Sequence, residues 1–185
     1  MIASPPRYRR VKVALCSILA LASFLTPQAH AESEYDVKAA YLFKFTKFVE
    51  WPASAFANPQ ASFVIGIVGR DPFGGGLDRI LEGQRTGERQ LEVRYLSAGD
   101  SAGQRGCQMI FVSASEERKL PDLLSALQGR PVLIVGESEG FASAGGMLGF
   151  ALRQSRLGVE VNSGAARQAR LKISSQLLNI ANVVN

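Results

Sequence analysis

Histidine is almost absent from this chain, and its one copy, His30, lies in a stretch built for removal. Arg7, Arg9, Arg10 and Lys12 come first. A 13-residue apolar run over 13–25 follows, and then Thr26-Pro27-Gln28-Ala29-His30-Ala31. A basic start, a short apolar core and an Ala-x-Ala end make a Sec-type secretory signal, with cleavage expected after Ala31. The run is too short for a transmembrane helix, which needs about 20 apolar residues. Removal of 1–31 leaves a single expected domain, 32–185, with no histidine, one cysteine (Cys107) and one tryptophan (Trp51).

Each scarcity closes a class of chemistry. A Ser-His-Asp triad has no base without histidine. A structural zinc site needs about four Cys, His or acidic ligands, so no metal is expected. No Asp/Asn ladder for calcium is present. The formal charge of +5 is mostly the leader's. Residues 1–31 hold four of the 21 Lys and Arg and none of the 16 Asp and Glu, which leaves 17 bases against 16 acids. A nucleic-acid binder carries a basic patch or stripe, and none is visible, so no nucleic-acid partner is expected. Cys16 stands four residues after Lys12, with no apolar core before it, and is not read as a lipidation site. Cys107 is an odd cysteine in an oxidising compartment. The apolar Met109-Ile110-Phe111-Val112 beside it favours a buried thiol.

What is present is an alternation of strands and helices. Val37, Tyr41, Phe45 and Phe48 recur at helical spacing and predict a helix over 36–49, stopped by Trp51-Pro52. Phe63-Val64-Ile65-Gly66-Ile67-Val68 is an apolar strand, followed by a loop over 69–76 and a short helix over 77–81. Strands are expected at 91–96, 109–113 and 131–135. A helix is expected at 116–127, with Pro121 in its first turns or at its true start. A hairpin of 147–152 and 157–161 follows, then one last helix over 164–181. This order predicts an α/β layered fold with a mostly parallel sheet and an antiparallel edge hairpin.

Two motifs invite functional readings. Gly136-Glu137-Ser138-Glu139-Gly140 matches the nucleophile elbow G-x-S-x-G after a strand. It lacks a base and runs into Ala144-Gly145-Gly146 where a helix should start, so a polar turn is expected and no catalytic residue is assigned. Gly69-Arg70-Asp71-Pro72-Phe73-Gly74-Gly75-Gly76 occupies the place of a phosphate-binding loop, after the first core strand. Its spacing is neither G-x-G-x-x-G nor a P-loop, and no cofactor is expected. A small-ligand module using Gly69, Asp71, Phe73 and Gly74 is the alternative reading.

Surplus apolar surface is a different signal. Phe43 lies off the main stripe of the first helix, among Ala39, Ala40, Lys47 and Glu50. In the last helix, Leu171 and Leu178 lie opposite a stripe of Ala169, Ile173, Leu177 and Ile180. Two readings follow: the helices bury second edges against each other, or the extra side chains anchor a partner. The candidate contact residues are Phe43, Phe48, Trp51, Pro52, Leu171 and Leu178. For Trp51, a core plug against the first strand is the competing reading.

Four blocks in order resemble one family. They are Lys38-Ala39-Ala40-Tyr41-Leu42-Phe43-Lys44-Phe45-Thr46-Lys47-Phe48-Val49-Glu50-Trp51-Pro52, then Val68-Gly69-Arg70-Asp71-Pro72-Phe73-Gly74, then Gly140-Phe141-Ala142-Ser143-Ala144-Gly145-Gly146-Met147, and finally Glu160-Val161-Asn162 running into Leu171-Lys172-Ile173-Ser174-Ser175-Gln176-Leu177-Leu178. Together they resemble the YfiR-type periplasmic proteins, which include HmsC. The resemblance implies a non-enzymatic periplasmic repressor that binds the periplasmic domain of an inner-membrane diguanylate cyclase. Repression lowers cyclic-di-GMP and biofilm formation. It also implies an OmpA-like outer-membrane lipoprotein as a sequestering partner, and a Rossmann-like fold that is often dimeric. Cys107 matches one family cysteine, but its disulfide partner is missing from 32–185.

Overall fold

The structure is a computed structural model, and it describes residues 33–153 and 156–184. The expected signal segment lies outside the described residues. The first helix, α1 (Glu34–Phe48), opens with a capping box: Ser33 Oγ accepts from the Asp36 N–H, and Asp36 returns a bond to the Ser33 N–H. There follow β1 (Val49–Glu50), a 3-10 turn (Ala53–Ala55), β2 (Phe63–Val68) and α2 (Gly76–Leu81). Next come β3 (Arg85–Thr86), β4 (Arg89–Leu96), α3 (Ser101–Arg105) and β5 (Met109–Val112). A 3-10 stretch (Ala114–Lys119) leads into α4 (Leu120–Ala126), with Pro121 in the first turn, and then β6 (Leu133–Gly136). The hairpin is β7 (Leu148–Arg153) and β8 (Arg156–Asn162). The chain closes with α5 (Ser163–Gln168), β9 (Lys172–Ile173), α6 (Ser175–Ile180) and β10 (Asn182–Val184).

The main sheet has eight strands in the order β10-β8-β7-β6-β5-β2-β4-β3. Pairings from β4 through β7 are parallel; β7–β8 and β3–β4 are antiparallel, and β10 returns parallel to β8. The expected α/β class, with a mostly parallel sheet and an antiparallel hairpin, is what the chain adopts, but the hairpin is not the edge, because β10 pairs outside β8. Side chains alternate across the sheet, as the two-residue strand period demands. Phe63, Ile65, Ile67, Met109, Phe111, Leu133 and Val135 join α1 and α2 in one core; Val64, Val68, Ile110, Val112 and Ile134 meet α4 in the other. Burial on both faces is why these strands read as unbroken apolar runs.

The single last helix expected over 164–181 is in fact two helices with a strand between them. Arg170 adopts a left-handed φ of 61°. The Leu171 N–H reaches back to the Ala166 carbonyl and the Arg170 N–H to that of Arg167, the two bonds of a Schellman stop. The chain then extends into β9 before α6 begins. Other elements without a counterpart in the sequence pattern include the two-residue β1 and β3, α3 inside the polar stretch after β4, and β10.

The buried face of α1 is turned relative to the expected stripe. Lys38, Ala39, Leu42, Phe45 and Thr46 are its buried residues, while Tyr41 and Phe48 flank them half-buried.

Candidate functional site

The crevice where an α/β sheet usually takes a ligand lies between the carboxyl ends of strands whose chain continues to opposite sides. Here it falls between β2 and β5, and it is closed. Gly69 has φ +100°, and a Cβ there would lie 2.6 Å from Glu116 Cγ and 2.7 Å from Ser115 Oγ. The Arg70 N–H donates to Ser115 Oγ at 3.0 Å. Further along the loop, Asp71 accepts from the Phe73 N–H at 2.8 Å and the Gly75 N–H at 3.3 Å. A carboxylate of the loop itself thus takes donors that a phosphate would need. Phe73 is buried, edge-on to Phe111 at 5.0 Å and to Tyr35 at 5.8 Å. Gly69, Asp71 and Phe73 therefore build a self-bonded turn, whereas Gly74 is exposed with nothing near its Cβ position.

The elbow-like segment is also structural. After Gly140 (φ 73°) the chain makes further turns, not the helix a nucleophile elbow requires. Its purpose is to seat Phe141, which is 1% exposed. A Cβ on Gly136 or on Gly146 would lie 2.2 Å from the Phe141 ring, so both positions are shaped around it.

Beside this turn lies a charged concavity of about 340 Å³, whose charged lining is Glu34, Lys38, Glu137, Glu139, Arg153 and Glu160. Lys38 Nζ is 2.7 Å from Glu34 and 2.8 Å from Glu137, and it stands 4.5 Å from the Tyr35 ring centroid. Burial alone would lower the Lys38 pKa; the hydrogen bonds to Glu137 and Glu34 outweigh it and raise it. Glu137 also accepts from the Ala114 N–H at 3.1 Å. The cluster is an internal brace between α1 and the turns after β5 and β6. Sequence reasoning missed it, although Lys38 falls on the same helical face as Leu42 and Phe45, with Glu34 four residues earlier.

Phe48, Trp51 and Pro52 lie at the other end of α1. β1 pairs antiparallel with β9, setting Val49 opposite Ile173, and the Ser174 N–H donates to the Phe48 carbonyl at 2.8 Å. This two-stranded clasp joins the first helix to the last segment. Phe43 and Phe48 are half-buried at the core margin, with Lys47 Nζ 5.2 Å from the Phe43 ring centroid. Trp51 is anchored: its indole N–H donates to the Gln108 carbonyl at 3.0 Å, and its ring stands edge-on to Phe63 at 4.7 Å. Pro52 begins the 3-10 turn and is half-buried. Leu178 is half-buried, but Leu171 is only 1% exposed. Leu171 is thus no surface anchor, because the broken helix turns it inward. The two leucines nevertheless line one groove of about 210 Å³ with Ala166, Arg167, Lys172 and Ile173. Cys107 is a buried free thiol, and burial pushes its pKa up to about 11.

Fold and surface together define a doubly wound α/β domain with a C-terminal clasp. The model of the YfiR/HmsC-like family matches residues 35–182, and the chain belongs to that family. No curated protein matches it. Among solved structures it is similar to an ABC domain in complex with L-Trp from Streptococcus pneumonia. That alignment has a TM-score of 0.48 and 13% identity, and it covers 66% of this chain and 55% of that one. No helix among the described residues is long and apolar enough to cross a membrane.

Proposed function

We propose that this protein is exported to the periplasm, binds the periplasmic domain of an inner-membrane diguanylate cyclase and holds that enzyme inactive. Cyclic-di-GMP and biofilm fall as a result. The supporting observation is the family match across 35–182, which spans both strands of the clasp. Repression of this kind is a binding equilibrium: it requires tighter binding to the inactive state, since equal affinity for both states shifts nothing. The contact surface in this reading is the end of α1, with Phe43, Phe48, Trp51 and Pro52, together with Leu178 of the segment that the β1–β9 pairing joins to it. An OmpA-like outer-membrane lipoprotein that competes for this surface would relieve the block. The chain itself contributes binding and no catalytic group.

Deleting the gene tests this. Cyclic-di-GMP and biofilm should rise and return to normal on complementation. Complementation with Phe43→Ala should leave cyclic-di-GMP high while the purified variant melts near wild type. A truncated core phenylalanine costs about 3–5 kcal/mol, so a deep loss of melting temperature would assign Phe43 to the core instead.

A further inference from the structure

We infer that the groove between α5, β9 and α6 is the socket for an acidic segment of the regulated partner, which inserts one apolar side chain flanked by carboxylates. This rests on the cyclase-regulator reading and gives the chemistry of its contact. Leu171 forms the floor, and Ile173 and Leu178 form half-buried walls. At about 210 Å³ the groove lies below the roughly 300–1,000 Å³ of small-molecule pockets. It suits a side chain better than a free metabolite.

The rim sets the charge of the occupant. Arg167 and Lys172 are exposed beside the groove, and no acidic residue lines it. Arg167 makes only a 3.2 Å bond to Ser163 Oγ. Lys172 faces Glu50 at 3.8 Å with side chains 83% and 76% exposed, a pair too loose and wet to hold the lysine. The concavity beside Lys38, in contrast, carries four glutamates. Two available cations around an uncharged floor complement an apolar residue between Asp or Glu side chains, and rim charges of this kind steer association. A bilayer is a poor occupant of the groove itself: interfacial binding needs apolar side chains that protrude, Leu171 at the floor is recessed, and the exposed Ile180 of α6 does not line it. The groove adjoins the end of α1 through Lys172 and Ile173, which line it and pair with Glu50 and Val49.

The test uses the deletion strain complemented with the full chain, cyclic-di-GMP being the readout. Arg167→Glu/Lys172→Glu should leave cyclic-di-GMP at the deletion level, with unchanged melting. Arg167→Gln/Lys172→Gln should do so in part, while the charge-preserving Arg167→Lys/Lys172→Arg should repress fully. Arg105→Glu/Arg118→Glu makes the same change of net charge at exposed positions that do not line the groove and should also repress fully. If deletion itself does not raise cyclic-di-GMP, the cyclase reading fails and the socket with it. If deletion raises it but the groove reversal still represses, only the socket is wrong. Equal loss in both reversals reduces the effect to net charge and overturns the socket. So does a dimer that the groove reversal splits, which makes the occupant a second copy. Charge-dependent binding to phosphatidylglycerol vesicles would make the occupant a lipid and would overturn the socket as well.

Discussion

Lys38 is the only charged side chain among the buried residues of α1. An ammonium in that position is tolerated only because it is fully met: two carboxylates lie within 2.8 Å, and the Tyr35 ring packs against it. Glu137, whose side chain is 5% exposed, depends on it in turn. Lys38→Met should therefore cost about 3–5 kcal/mol, the usual result of stripping one member from a buried pair. Lys38→Met/Glu137→Leu should recover much of that loss, because an apolar pair leaves no orphaned charge. Urea unfolding of the two variants gives the comparison. The pH response has a definite sign. Folding raises the Lys38 pKa above its ordinary 10.5. Its contribution is therefore complete below that value and is lost as pH rises through the folded-state pKa. Destabilisation of wild type on going to strongly alkaline pH should be weaker in the double variant.

At the scale of elements, the C-terminal segment holds the sharpest contrast. Leu171 follows a left-handed arginine and points into the core, whereas Leu178 lies half-buried on α6. Leu171→Ala should lose about 2–5 kcal/mol and Leu178→Ala markedly less, as read from thermal melts. Equal losses would mean that the two share one environment and that the break between α5 and α6 has no consequence. The break is illegible in the sequence because its signal is normally a glycine, and here the left-handed position is Arg170. Strands β2, β5 and β6 are legible, because burial on both faces leaves unbroken apolar runs. The β7–β8 hairpin is legible from its paired apolar stretches. For α1 the helix is readable but its rotation is not: a stripe of Val37, Tyr41, Phe45 and Phe48 looks like the inward face until Lys38 is known to have a partner 99 residues away. Of the candidate contacts, the end of α1 can be named from its aromatics. The pairing of β1 with β9 that joins α1 to the last segment cannot, since two-residue strands leave almost no periodicity to detect.

For the molecule as a whole, the two edges of the main sheet are treated differently. One edge is β3, two residues long and carrying Arg85, whose carbonyl is already taken by the Lys47 ammonium. Short, charged edges resist pairing with other chains. The opposite edge is β10, Asn182–Val184, with no strand beyond it among the described residues. From Leu177 to Val184 there is no charged residue, and Ile180 and Val183 are 67% and 49% exposed. An uncharged, apolar edge is a template for strand addition by a second copy or a partner. Val183→Lys places a charge on that edge without touching either core. Its melting temperature should stay within a degree or two of wild type, since surface changes of this kind are usually worth about ±0.5 kcal/mol. Self-association should fall, seen as a lower weight-average mass in sedimentation at high protein concentration. If mass and repression are both unchanged, the edge is idle and association, where it occurs, uses another face. If mass falls while repression persists, dimerisation and cyclase binding are separable, as expected when they lie on β10 and on the clasp. Loss of repression with unchanged mass would instead carry the partner contact from the β1–β9 clasp to the sheet edge.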